Sequence, residues 1–146
     1  MKILFSSFLL FFVLISGISQ IIETTIVPFN VKRAFAEGFP SITSVVWSVN
    51  NNYYNGTFEV DQLKKIVTYD EFGTYIESKA GLLLSELPLT IQDYINLHGT
   101  NDFQKEYYRV LKADGTESYE IILNEMNITF NAVGGLTKAS TIKGKI

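Results

Sequence analysis

No cysteine occurs among the 146 residues, and there is a single histidine, His98. A cysteine nucleophile is therefore impossible, and a zinc centre lacks the His and Cys donors it requires. A Ser/His/Asp triad would have to run through His98. That residue closes an expected helix on its buried face, where a capping or partly buried role suffices. Disulfides are excluded too, so the chain must hold its fold by apolar burial alone. Charge of one sign is also missing: 12 Lys and Arg stand against 15 Asp and Glu, a formal net of −3. No basic stripe is available to neutralise phosphates, and nucleic acid is not an expected partner. Gly134-Gly135 lies between two strands, so it reads as a hairpin turn and not as a phosphate-cradling loop. No alternating Asp loop for calcium is present.

What is there begins with "MKILFSSFLLFFVLISGIS". One positive charge at Lys2, an apolar run from Ile3 to Ile15 and small residues after it form the layout of an export signal. The run is too short for a comfortable membrane span. Cleavage is expected after Ser19, with Gly17 and Ser19 flanking Ile18. Ile21 and Ile22 keep an uncleaved anchor as the alternative. Without a Cys after the run, a lipid-anchored lipoprotein is not expected. The domain expected from residue 20 to 146 is then a Cys-free exported protein, which points to a bacterial envelope, periplasmic or secreted. In that setting the sequons at Asn55 and Asn127 are turn or strand residues.

The remaining chain reads as one unit written twice, over 27–86 and 87–146. An offset of 60 pairs Val27-Pro28 with Leu87-Pro88, Val31 with Ile91, Phe35 with Ile95 and Trp47 with Tyr107. An offset of 61 pairs Phe58 with Tyr119, Tyr69 with Phe130 and Gly73 with Gly134. Each unit opens with a proline suited to a first helical turn. Val31, Ala34, Phe35 and Gly38 share one helix face, as do Ile91, Tyr94, Ile95 and His98. Four strands are expected after each helix, roughly 43–50, 54–60, 63–69 and 74–78, then 103–111, 118–123, 127–131 and 136–141. The fold class expected is α+β: a tandem repeat of a helix plus a four-stranded antiparallel sheet, joined into one continuous sheet with both helices on one face.

Alternation along the strands divides the faces. Trp47, Phe58, Val67, Tyr69, Ile121 and Phe130 have core parity. Ser48, Thr57, Glu59, Ser118 and Glu120 have the opposite parity, and so do Val46, Tyr53, Tyr75 and Tyr108. Exposed aromatics on a sheet anchor protein partners well, because a large rigid ring loses little entropy on binding. The plainer reading has these rings covering cross-strand neighbours. Carboxylates are in unpromising places for catalysis: Asp61, Asp70 and Glu71 in turns, Glu59 and Glu120 on a solvated face.

Ala34-Phe35, Phe39-Pro40, Trp47, Tyr69-Asp70-Glu71-Phe72-Gly73 and Leu87-Pro88 together resemble the PepSY-like family of bacterial envelope proteins, which is similar to the beta-lactamase inhibitor protein. The likeness spans Val27 to about Thr141. His98-Gly99 replaces the expected Phe-Pro in the second unit, and Tyr107 replaces Trp. The resemblance implies a non-enzymatic module without metal or cofactor that binds or inhibits another envelope protein. The expected docking surface is the open sheet face, with Tyr53, Tyr75, Tyr108, Val46, Glu59 and Glu120 as partner-binding residues. The alternative is a small-ligand-binding envelope protein with a pocket between helices and sheet, using Tyr94 and His98.

Overall fold

The computed structural model describes residues 26–98, 105–123 and 126–142. The expected export signal lies outside the described residues, and so do Gly99 and, from an expected turn, Asn124 and Glu125. Helix α1 (Phe29–Gly38) starts directly after Pro28, whose carbonyl accepts the Lys32 N–H at 3.1 Å. Helix α2 (Leu89–His98) follows Pro88, whose carbonyl accepts from Ile91 and Gln92. Proline's fixed φ and missing N–H suit that place, where a helix leaves its first donors unpaired. The i, i+4 pairs Val31/Phe35 and Ile91/Ile95 are the buried residues of the two helices.

The described residues form eight strands: β1 (Val46–Asn50), β2 (Tyr53–Val60), β3 (Leu63–Tyr69) and β4 (Tyr75–Gly81) after α1, then β5 (Lys105–Lys112), β6 (Glu117–Leu123), β7 (Met126–Asn131) and β8 (Leu136–Thr141) after α2. A short 3-10 turn, Leu84–Glu86, leads from β4 towards α2. The strands make one antiparallel sheet in sequence order. Two-residue turns close the first hairpins: Asn51 and Asn52 at φ 48° and 65°, Asp61 and Gln62 at 53° and 65°. Positive φ at both central residues is the turn whose twist matches that of the flanking strands.

The tandem fold expected from the sequence is corrected here. Among the described residues the architecture is a single eight-stranded antiparallel sheet with two ten-residue helices, and not a helix-plus-four-strand unit used twice. No boundary divides the sheet, because β4 pairs with β5 from Glu77↔Lys112 to Gly81↔Tyr108, and Leu82 N–H adds a bond to the Tyr107 carbonyl at 2.9 Å. β4 also runs to Gly81, three residues past its expected end, to make that ladder. Periodicity reports how each segment is amphipathic, whereas strand pairing between distant segments leaves no mark in a local pattern.

The registers put both helices over the same face. On that face α1 covers Phe58, Val67 and Tyr69, with Trp47 packed beside them. Helix α2 covers Ile121, Leu123, Ile128 and Phe130. Burying a large side chain contributes about 1.5–3 kcal/mol, and these two clusters take the place of cross-links. Aromatic edges lock the first cluster, with Phe35 T-shaped on Trp47 at 5.4 Å and on Phe58 at 5.5 Å. Between the clusters the helix face of β4 and β5 is mixed, with Ser78 opposite Leu111 and Ala80 opposite Arg109.

Candidate functional site

The face turned away from the helices carries the candidate site. Its rows follow from the strand registers: Val46, Thr57, Ile66, Lys79, Val110, Ser118 in one, and Glu59, Lys64, Gly81, Tyr108, Glu120, Thr129 in the next. Four of the six residues expected to bind a partner keep the position given them. Val46, Tyr53 and Glu59 stand exposed on this face, Val46 at 71% and Tyr53 at 46%. Glu120 is on it too, but engaged in an ion pair.

Tyr75 and Tyr108 need correction. A register shift between Thr68 and Tyr69 breaks the β3–β4 ladder, so Tyr75 pairs with Tyr69 on the helix face. There it packs against the α1 cluster and donates its hydroxyl to the Leu111 carbonyl at 2.8 Å. The bulge adds a residue, and strict alternation loses its parity at that point. Tyr108 does lie on the open face, yet it is 3% exposed. Polar side chains close over it: Lys64 Nζ is 6.0 Å from its ring centroid, and its hydroxyl is hydrogen-bonded to the Glu106 carboxylate. An anchor that is already covered is not available to a partner.

Two lysine–glutamate bridges roof the centre of this face. Lys64 on β3 reaches Glu106 on β5 at 3.0 Å, passing over β4 where Gly81 has no side chain. Lys79 on β4 reaches Glu120 on β6 at 2.6 Å, passing over β5 where Tyr108 and Val110 lie buried. Asn127 Nδ2 donates to the other oxygen of Glu120 at 3.1 Å, while Asn127 Oδ1 is buried without a partner among the described residues. The Tyr108 hydroxyl chiefly, and the Lys64 ammonium after it, hold the Glu106 carboxyl below its usual range, against the opposing effect of burial. Burial pushes the Tyr108 phenol up, and its bond to Glu106 adds to that. The hydrogen bond to Glu106 raises the Lys64 ammonium in turn. At neutral pH Lys64 and Glu106 are charged and paired and Tyr108 is a neutral donor held by Glu106, which suits a fixed template and not a proton-transfer centre.

Sequence reasoning missed Lys64, Lys79, Glu106 and Asn127. Their parity was readable, but their meeting across an intervening strand was not. Beside the bridges the β1–β2 side of the face is open. A shallow recess of about 460 Å³ is lined by Ser48, Tyr53, Asn55, Thr68, Glu77 and Lys79. Another of about 490 Å³ runs past Thr43, Val46, Thr57 and Glu59. Among the described residues no group of three or more His, Asp or Glu side chains could hold a metal. The residues named for a ligand pocket between helices and sheet are used otherwise. Tyr94 packs T-shaped on Phe130 at 5.2 Å, and His98 is exposed with its ring 4.4 Å from that of Tyr94.

Solved structures share this architecture. A DUF2874 family protein from Bacteroides ovatus superposes with a TM-score of 0.65 at 19% identity, over 79% of this chain and 87% of that one. A protein from Bacteroides eggerthii described as periplasmic gives 0.68 at 17% identity, over 79% and 88%. A BLIP-like protein from Bacteroides fragilis gives 0.60 at 15% identity, over 80% and 87%. The fold is that of the BLIP-like and DUF2874 proteins. At these identities the likeness is one of fold. No protein-family model matches the sequence, and no curated protein does. Among the described residues no helix is long and apolar enough to cross a membrane.

Proposed function

We propose that this chain is an exported, non-enzymatic binding or inhibitory module that docks another envelope protein through the open face of its sheet. The observation that carries the reading is the state of that face. No described element covers it, its centre is fixed by the Lys64–Glu106 and Lys79–Glu120 bridges, and Val46 and Tyr53 stand exposed beside them. A rigid surface with an exposed aromatic and an aliphatic anchor loses little entropy when a partner seats on it. Val46, Tyr53 and Glu59 make the contact, with Glu120, Lys64 and Lys79 as its fixed polar rim. The expected leader over 1–19, with its single Lys2 and its apolar run from Ile3 to Ile15, supports export. The periplasmic and BLIP-like descriptions of the structural neighbours agree with an envelope location and a protein target.

The test is affinity capture from an envelope extract with the wild-type chain and with a Val46→Ser, Tyr53→Ser, Glu59→Gln variant. The reading expects a partner recovered by the wild type and lost with the variant at unchanged thermal stability. Equal recovery by both would sink it.

A further inference from the structure

The sheet has two edges, and the chain guards one of them. Along β8, Lys138 puts a charge on the edge, and a register shift between Thr129 and Phe130 bends its pairing with β7. Both are devices that discourage a further strand. β1 has neither. Its sequence, Val-Trp-Ser-Val-Asn, is uncharged and proline-free, it pairs with β2 without a shift, and all but Trp47 are exposed. Among the described residues nothing pairs with the outer side of this strand, which therefore offers unpaired backbone donors and acceptors.

A second observation lies next to it. On the helix side an apolar recess of about 260 Å³ separates α1 from β1, lined by Phe35, Ala36, Phe39, Ile42, Val45 and Trp47. β1 supplies the only strand residue in that lining, so the recess opens at the sheet's edge and not over its middle. Lys32 is the one charged side chain in the lining, and no ion pair engages it among the described residues.

We infer that β1 is a strand-addition site for an extended segment of a partner protein, which places a large apolar side chain in the recess and an acidic side chain against Lys32. Backbone pairing along β1 supplies affinity, and the pocket for an alternate side chain supplies selection. The chemistry of the occupant follows from the lining: apolar walls, and a lone cation at the rim. A second copy of this chain fits less well. Five residues of edge bury far less than the roughly 1,000 Å² that a stable pair of folded chains needs, and β1 has no acidic side chain to offer Lys32. The site is separate from the open face, since the recess is on the helix side.

The experiment is selection of a random dodecapeptide phage library on the exported chain, followed by anisotropy titration of the enriched peptide and amide hydrogen exchange. The expected peptides share a large apolar residue with an acidic one close by, and they protect amides of 46–50. Ala36→Trp fills the recess from an exposed helix position and is expected to weaken binding at least about tenfold. Lys32→Glu is expected to weaken it several-fold and to shift selection toward basic peptides. Both sites are exposed, so unchanged melting temperatures certify the fold. The inference is overturned by three results: no enrichment, protection over β8 or the open face, or a concentration-dependent dimer that protects β1 without peptide. Because Tyr53→Ser leaves β1 and the recess intact, loss of peptide binding in that variant would also overturn it.

Discussion

Lys79 on β4 and Glu120 on β6 meet at 2.6 Å over the strand that lies between them. Lys64 and Glu106 do the same over β4, at 3.0 Å. Each bridge ties strands that are not neighbours in the sheet, and each covers what lies beneath. Tyr108 and Val110, at 3% and 4% exposure, are consequently buried on a face that no described helix covers.

The Lys79–Glu120 pair is only partly screened, with side-chain exposures of 22% and 15%. A cycle of Lys79→Met, Glu120→Gln and the double variant is expected to give a coupling of about 1–2 kcal/mol. Urea unfolding measures it. Near-zero coupling would make the bridge an ornament of the surface.

Tyr108→Phe keeps the ring and removes the hydroxyl that bonds Glu106. The expected cost is about 1–2 kcal/mol, since the acceptor is charged. The Glu106 carboxyl, depressed from 4.5 chiefly by that hydroxyl, should move back toward its ordinary value. A depressed carboxyl contributes stability above its unfolded pKa, and that stability is lost as pH falls through its folded pKa. The wild type should therefore lose stability below about pH 5 more steeply than Tyr108→Phe does. Equal slopes in acid unfolding would remove Tyr108 as the cause.

These bridges also mark where sequence reading stops. The helix faces at Val31/Phe35 and Ile91/Ile95 were legible, because 3.6-residue spacing is local. The third strand was legible to the residue, Leu63–Tyr69, because two turns and strict alternation bound it. Tyr75 was not, since one bulged residue on β3–β4 turns it to the other face. Tyr108 had the right parity, but its cover comes from Lys64, 44 positions away, and from Glu106. The register of the β4–β5 ladder had no local mark in the sequence, as it joins segments separated by a helix.

Gly73 and Gly115 form a natural control pair, at φ +84° and +83°. A Cβ at Gly73 would lie 2.6 Å from the Asn30 carbonyl oxygen, whereas one at Gly115 meets nothing within 4 Å. Gly115→Ala should cost about 1 kcal/mol from backbone strain alone. Gly73→Ala should cost at least about 2 kcal/mol, because the turn must also leave the start of α1. Equal losses would mean that the contact between turn and helix carries no stability.

Gln62 holds φ 65° in the β2–β3 turn without the tolerance of Asn or Gly. Gln62→Gly should stabilise by about 0.5–1 kcal/mol, read as a higher denaturation midpoint at unchanged slope. A loss of stability would assign Gln62 a contact that offsets its strain.

The central claim, docking through the open face, is tested most directly by a photo-cross-linking amino acid placed at Tyr53 in cells that make the protein. The same residue at Leu97, 80% exposed on the helix side, is the control. The account predicts one discrete adduct from position 53 and none from position 97. Adducts of equal yield from both positions, or from position 97 alone, would contradict it.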